Sequence, residues 1–308
     1  MVARESSECE SSQGIVVIVP TLERQELLLE LLQNLRRCKI TPTAVVVVDS
    51  SNVFIDQSQN FKDIHLKHIK FLIKSAASQR NRAIELILSE NLDFEYVAFL
   101  DDDIELSQYY FKQLLNRFKH NPDFVGISGL AKNQGIIDRK RNFLSDFLGL
   151  TGRAGCITKA LVNISPEGIK EFKEVDWLIG CSMWRRIVIE NVTFEVDFQG
   201  QSLFEDVIFS YKAKSFGKIG FDPEVSLKHL LSPKGRPNEI LHYRAWITNR
   251  YRMFTYSKDE FSRVSFWLLN CFLFFSSLVK ALFNGRARKK MIGILLGIKD
   301  IIREKKSL

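Results

Sequence analysis

Tyr96-Val97-Ala98-Phe99-Leu100-Asp101-Asp102-Asp103-Ile104-Glu105-Leu106 is a short apolar run that ends in three adjacent carboxylates. Its first five residues have the length and the aromatic and β-branched character of a buried strand. Neighbouring carboxylates repel one another, so the triplet is stable only where water, a cation or hydrogen-bond donors compensate it. At the end of a buried strand in an α/β protein, that place is the ligand crevice. Hard oxygen ligands there suit Mg²⁺ or Mn²⁺ shared with substrate phosphates. The plainer alternative is a solvated acidic turn capping a helix that begins near Ser107.

The segments before the triplet favour the crevice. Ile15 to Val19 and Ala44 to Val48 are unbroken β-branched runs, the pattern of parallel strands buried on both faces. The first closes on Pro20-Thr21 and the second on Asp49-Ser50-Ser51-Asn52. Leu22 to Arg37 has helical periodicity, as does Ser75 to Leu92, with Ala83, Ile84, Ile87 and Leu88 on one face. A third short strand is expected over Ile69 to Ile73. Beyond the triplet a helix is expected from about Ser107 to Lys119, then a strand over Phe124 to Gly129. Alternating strands and helices imply an α/β protein with a mostly parallel sheet covered on both sides. Thr21, Asp49 and the aspartates all follow strands, so they should share one sheet edge.

Later segments are less regular. Trp177 to Trp184 is expected to form a strand and turn, with Gly180 permitting close backbone approach. Phe204-Glu205-Asp206 opens another helix, and Lys218 to Phe221 and Val225 to His229 look like two short strands.

The chain has 308 residues and a formal charge of +8, placed unevenly. From Arg236 onward there are 15 Lys/Arg against 5 Asp/Glu, whereas residues 1–235 carry 29 against 31. That basic tail also holds the uncharged run Val264 to Val279, then Arg286-Ala287-Arg288-Lys289-Lys290 and a second apolar patch, Met291 to Ile298. The 16-residue run falls short of the roughly 20 that span a bilayer. An in-plane membrane helix uses both its apolarity and the flanking cations. A hairpin on the main domain or a dimer interface is the alternative. Five scattered cysteines without a CxxC pair argue for reduced thiols rather than a disulfide framework or zinc site. The polar leader, residues 1–14, has no apolar stretch resembling a signal peptide.

Taken in order, the motifs are IVVIVPTLER, VVVVDSSN, ASQRNRA, FLDDDIEL, WLIGCSMWRR, FEDVIFSYK and the late His229. From Ile15 to Ser232 this pattern resembles the family 2 glycosyltransferases, inverting enzymes of the GT-A fold that use nucleotide-diphosphate sugars. More narrowly it is similar to bacterial rhamnosyltransferase-like enzymes of surface polysaccharide synthesis. The resemblance implies a catalytic domain over residues 15–235, and the basic, apolar remainder, 236–308, is expected to form a helical, membrane-associating extension.

By that resemblance, Pro20, Thr21 and Asp49 would line the base end of a UDP- or dTDP-sugar, and Arg80 would reach the base or diphosphate. Asp101 to Asp103 would be the DxD-type motif, with Asp101 and Asp102 on the donor side and Asp103 holding Mn²⁺ or Mg²⁺. His229 would be a further metal ligand, Gly180 would lie under the donor sugar, and Asp206 would be the general base. Trp177 and Trp184 would be sugar platforms or core. Leu22 replaces a frequent aromatic, Glu23 replaces a frequent Asn, and the QxxRW motif of processive synthases is absent.

The expected activity is metal-dependent transfer of one sugar to a hydroxyl of a lipid-linked glycan. The enzyme would be peripheral on the cytoplasmic face of the cell membrane, with truncation near Tyr256 leaving a soluble catalytic domain. A sugar nucleotidyltransferase is the enzymatic rival, but it would want a glycine-rich loop after the first strand, and PTLERQE has none. The other alternative is a nucleic-acid-binding protein using Tyr243 to Tyr256. Phosphate binding makes no use of the long apolar run, so no nucleic-acid partner is expected.

Overall fold

Residues 14–132, 143–196, 203–230, 238–257 and 259–306 are described by the computed structural model. Residues 1–13 of the expected leader lie outside them. The first half contains β1 (Ile15–Thr21), α1 (Gln25–Arg36), β2 (Ala44–Asp49), β3 (Leu66–Lys70), α2 (Ala76–Ser89), β4 (Tyr96–Phe99), β5 (Ile104–Leu106), α3 (Tyr110–His120) and β6 (Phe124–Lys132). There follow α4 (Phe143–Phe147), β7 (Lys173–Glu174), β8 (Ser182–Arg185), α5 (Arg186–Asn191), α6 (Glu205–Ala213) and β9 (Lys218–His229). Three helices close the chain: α7 (Glu239–Arg252), α8 (Arg263–Ala281) and α9 (Gly285–Lys306).

The strands form one sheet in the order β3-β2-β1-β4-β8-β6-β9-β5, with β7 beside β9. β3, β2, β1 and β4 are mutually parallel. β8 runs antiparallel to both β4 and β6, β9 is parallel to β6, and β5 is antiparallel to β9. The apolar runs are continuous because both faces are covered. Val17, Val19, Val45 and Val47 pack with Leu28 and Leu32 of α1 and Phe111 and Leu114 of α3. Val16, Ile18, Val46 and Val48 pack on the other side with Ala83, Ile84 and Ile87 of α2.

Three expectations need correction. β3 begins earlier, at Leu66, because it is an edge strand whose buried residues alternate; Leu72, within the expected strand, is 84% exposed. The two late strands are one, β9, interrupted by a bulge at Pro223 to Val225 where its register with β6 shifts. Of Trp177 to Trp184 only Ser182 onward is strand, and both tryptophans are core. Trp184 stacks edge-on against Phe209, and Trp177 donates its indole N–H to the Ile164 carbonyl.

The C-terminal helices share a third core with the sheet domain: Leu161, Trp177, Val207 and Ile208 meet Ile247, Phe254, Phe266, Ile294 and Ile301. Buried Arg250 fastens the join, donating to the backbone carbonyls of Leu161 at 2.7 Å and of Ala160, beneath Trp246. The helix α8 is longer than the uncharged run and, by length and composition, could cross a membrane. One face of it is nevertheless buried through Phe266, Leu269, Asn270 and Ala281.

Candidate active site

Parallel pairing of β1 and β2 sets Thr21 opposite Asp49, so two of the expected residues share an edge through backbone register alone. Gln79, at the start of α2, locks that edge: its amide donates to the carbonyls of Thr21 at 2.8 Å and Val48 at 2.7 Å. Pro20 is buried in β1 opposite Val48. Asp49 is only 1% exposed and accepts from the Ser51 N–H at 2.7 Å. His68 Nε2 lies 3.4 Å from its second oxygen, while His68 Nδ1 accepts from the Gln57 N–H at 3.1 Å. Nδ1 is thereby an acceptor, leaving Nε2 as the protonated nitrogen facing the carboxylate. Burial opposes the charge of Asp49, but His68 and Ser51 outweigh it and hold the carboxyl below its usual range.

The acidic triplet is not a helix cap. Asp102 and Asp103 are buried, and β5 intervenes before α3. Asp102 accepts from the Thr21 hydroxyl at 2.7 Å and from Arg24 Nη1 at 2.9 Å. Burial dominates its titration and pushes it up to about 6 despite those bonds. Arg24 also reaches Asp103 Oδ2 at 3.2 Å. Nothing singled out Arg24 or His68 in the sequence, although a cation just after the first strand was visible in PTLER. Glu23, next to Arg24, has φ 56°, a left-handed conformation that Asn enters more readily than Glu.

Antiparallel pairing of β5 with β9 sets His229 opposite Ile104, and thus beside Asp103. His229 Nε2 is 3.5 Å from Asp103 Oδ1. Asp101, Asp103 and His229 each offer a ligand atom, all within 4.8 Å of one another. Two carboxylates and an imidazole fit a divalent cation of the Mn²⁺ or Mg²⁺ type, the imidazole suiting Mn²⁺ better.

Arg80 joins this cluster to α6. Buried at 3% exposure, it donates to Asp101 at 3.0 Å and forms an ion pair with Glu205. Gly180 makes the passage possible: a Cβ there would stand 3.1 Å from Arg80 Nη2. What approaches Gly180 closely in the structure is therefore this guanidinium. The next residue after Glu205, Asp206, is half-buried in the first turn of α6 and accepts from the Val207 N–H at 2.8 Å. Burial raises its carboxyl to about 6, with Asp101 adding to the rise and Arg80 opposing it. Phe204, which leads into the helix, has φ 72°, a costly conformation for a bulky side chain and one that concentrates at functional sites.

Residues 16–175 match Glycosyl transferase family 2, so the chain belongs to that family and is a glycosyltransferase. No curated protein matches it by sequence. Among solved structures it is similar to the mannosyltransferase PcManGT from Pyrobaculum calidifontis in complex with GDP-Man and Mn²⁺. The identity is 14% and the TM-score 0.55, over 96% of this chain and 89% of the other. It is also similar to TarS from S. aureus, at 18% identity and TM-score 0.51, covering 78% of this chain but 40% of TarS. A shorter form of TarS in complex with UDP matches at 17% identity and TM-score 0.50, over 95% and 92%. At these identities the likeness speaks for the shared GT-A architecture.

Proposed function

We propose that this glycosyltransferase transfers one sugar, with inversion, from a UDP- or dTDP-sugar to a hydroxyl of a lipid-linked glycan, as in surface polysaccharide synthesis. The observation that carries this reading is the Arg80 bridge. One buried side chain connects Asp101, at the end of the donor strand, to Glu205, the neighbour of Asp206. This link, together with the influence of Asp101 on the Asp206 carboxyl, supports a shared site for the proposed donor carboxylates and the candidate base.

In this mechanism Asp49, kept ionised by Ser51 and His68, accepts the N–H of the pyrimidine. Thr21 and Arg24 orient Asp102, while Asp101, Asp103 and His229 would hold Mn²⁺ or Mg²⁺. The chemistry a divalent cation would supply there is neutralisation of charge on the departing nucleoside diphosphate. Asp206 takes the proton from the acceptor hydroxyl as its oxygen forms the new bond to the anomeric carbon and the diphosphate leaves. A carboxyl poised near 6 is well matched to that task at neutral pH.

The exposed face of α8 supports membrane attachment. Val264, Leu268, Phe272, Phe275, Val279 and Leu282 recur at helical spacing and are all solvent-exposed. Because the opposite face is packed on the protein, the helix suits an in-plane position rather than a span. Cations at Lys280, Arg286 and Arg288 to Lys290 lie where anionic headgroups would meet it. A screen of nucleotide-sugar hydrolysis with Mn²⁺ and Mg²⁺ tests the catalytic reading. Cation-dependent release of UDP or dTDP is expected; no turnover of any UDP- or dTDP-sugar would rule out the proposed donor class.

A further inference from the structure

Exposed phenylalanine is concentrated in two parts of the chain that are far apart in sequence. Among the described residues six phenylalanines are exposed, and five of them lie in α4 or in α8 and the turn after it. In α4 these are Phe143 and Phe147, 88% and 65% exposed, which stack on each other at 6.5 Å. Leu144 beside them is exposed as well. In α8 and just beyond it they are Phe272, Phe275 and Phe283.

Packing joins the two segments. Leu148, the residue after Phe147, is buried with Ala160, Val162 and Leu269 of α8, and Leu273 packs against the same cluster. Hydrogen bonds make the join rigid. The Thr158 hydroxyl donates to the Gly149 carbonyl at 2.8 Å, and the Ser262 N–H, at the cap of α8, donates to the Lys159 carbonyl at 2.9 Å. At roughly 100° per residue, Leu269 lies about 60° around α8 from Phe272. The segment carrying α4 therefore meets α8 at the border of its buried stripe, next to the exposed apolar face.

The chemistry of this surface fits a bilayer. Among the described residues α8 alone is long and apolar enough to cross a membrane. At its far end Lys280 and Arg288 are exposed and, among the described residues, meet no carboxylate. Arg286 and Lys289 share Glu239, so a single carboxylate answers those two cations. Asp146, the carboxylate of α4, accepts from the Thr151 hydroxyl. Phenylalanine and leucine side chains bordered by uncompensated cations match the boundary between acyl chains and anionic headgroups.

We propose that α4 is a second bilayer contact, in which Phe143, Leu144 and Phe147 insert at the acyl–headgroup boundary beside the exposed face of α8. The inference rests on the membrane reading of α8 above and deepens it. A single in-plane helix leaves the protein free to roll about the helix axis. A second contact off that axis stops the roll and holds the catalytic domain in one orientation on the surface.

Phe143→Ser/Phe147→Ser removes apolar area without adding charge, and both side chains are exposed, so the variant should fold normally. Its partition onto phosphatidylcholine–phosphatidylglycerol vesicles, measured by flotation of the full chain, should fall roughly tenfold or more. Phe143→Leu/Phe147→Leu should retain most of the binding. Phe147→Trp reads the contact directly: brominated phosphatidylcholine in the vesicles should quench its tryptophan emission more than that of the wild type. Equal quenching of the two proteins, or wild-type flotation by the serine variant, would overturn the α4 contact. Phe275→Asp/Phe283→Asp, run in parallel, reports on α8 alone. Its loss of flotation beside an intact serine variant would sink this inference and leave the α8 reading standing, whereas no flotation of the wild type would remove both. Sedimentation without lipid tests the other occupant, a second copy of the chain. A dimer that the serine variant dissociates would assign the face to self-association and overturn the proposal.

Discussion

Arg80 and Glu205 form a buried ion pair that ties α2, in the parallel half of the sheet, to the first turn of α6. Removing Arg80 would leave Glu205, a buried carboxylate, without this cation, and would also take the ion pair from Asp101, whose side chain is 36% exposed. Loss of one partner from a buried pair costs about 3–5 kcal/mol. Arg80→Met should therefore lower unfolding stability by about that amount, read from urea denaturation. Gly180→Ala should produce a milder version of the same defect, since its Cβ crowds Arg80 Nη2. A wild-type urea midpoint in Arg80→Met would show that the pair does not clamp the two helices.

The cation cluster yields the second prediction. Asp103 faces His229 on one oxygen and Arg24 on the other. Asp103→Ala should abolish divalent-dependent turnover and reduce Mn²⁺ binding measured by calorimetry, without unfolding the chain. His229→Ala should weaken Mn²⁺ more than Mg²⁺, because imidazole is the softer ligand. Full activity in excess EDTA would exclude the proposed cation site from the reaction.

Much of this site was legible because it follows from strand ends. Once Ile15–Thr21 and Ala44–Asp49 are parallel neighbours, register brings Thr21 and Asp49 together without further information. The approach of His229 to Asp103 was less accessible. It needs the antiparallel pairing of a three-residue strand with the end of a twelve-residue one, which no local pattern announces. His68 looked like any residue of an edge strand, and its role depends on long-range contact with Asp49. The third strand was misplaced because Phe71-Leu72-Ile73 is apolar, yet Leu72 and Ile73 face solvent. Gly180 illustrates a different limit: its spacing signalled close approach but could not say by what.

Membrane attachment through α8 gives the third prediction. Phe275 is exposed, and Phe283, just beyond the helix, is 93% exposed, so replacing both with Asp should leave thermal stability nearly unchanged. Flotation with anionic vesicles should fall sharply in that variant, and high salt should weaken the wild type. Removal of the chain after Tyr256 is a poor test, contrary to the sequence-based expectation of a soluble catalytic domain. Phe261, Phe266, Ile294 and Ile301 pack with Leu161, Trp177 and Val207, so truncation would open a core. Wild-type flotation by the double aspartate variant would place membrane contact elsewhere.

Asp206 supplies the last prediction, with two readouts of opposite sign. As the base it must be ionised, so its elevated value near 6 predicts transfer rates that rise with pH through about 6 and then level off. Asp206→Asn should bind donor and cation normally while transfer falls by about 10² to 10⁴. The same elevation has a cost in stability. A carboxyl whose folded value exceeds its ordinary 3.8 binds its proton more tightly when folded. Its contribution to stability is therefore present below 3.8 and is lost as pH rises through about 6. At pH 7 wild type carries that penalty, whereas Asn does not. Asp206→Asn should unfold at higher temperature than wild type at pH 7, by an amount worth up to about 3 kcal/mol. The difference should shrink as both proteins are taken toward pH 4. A variant that is inactive but no more stable would mean that Asp206 is not held above its ordinary range. One that is stabilised yet transfers sugar at nearly the wild-type rate would assign the proton to another residue.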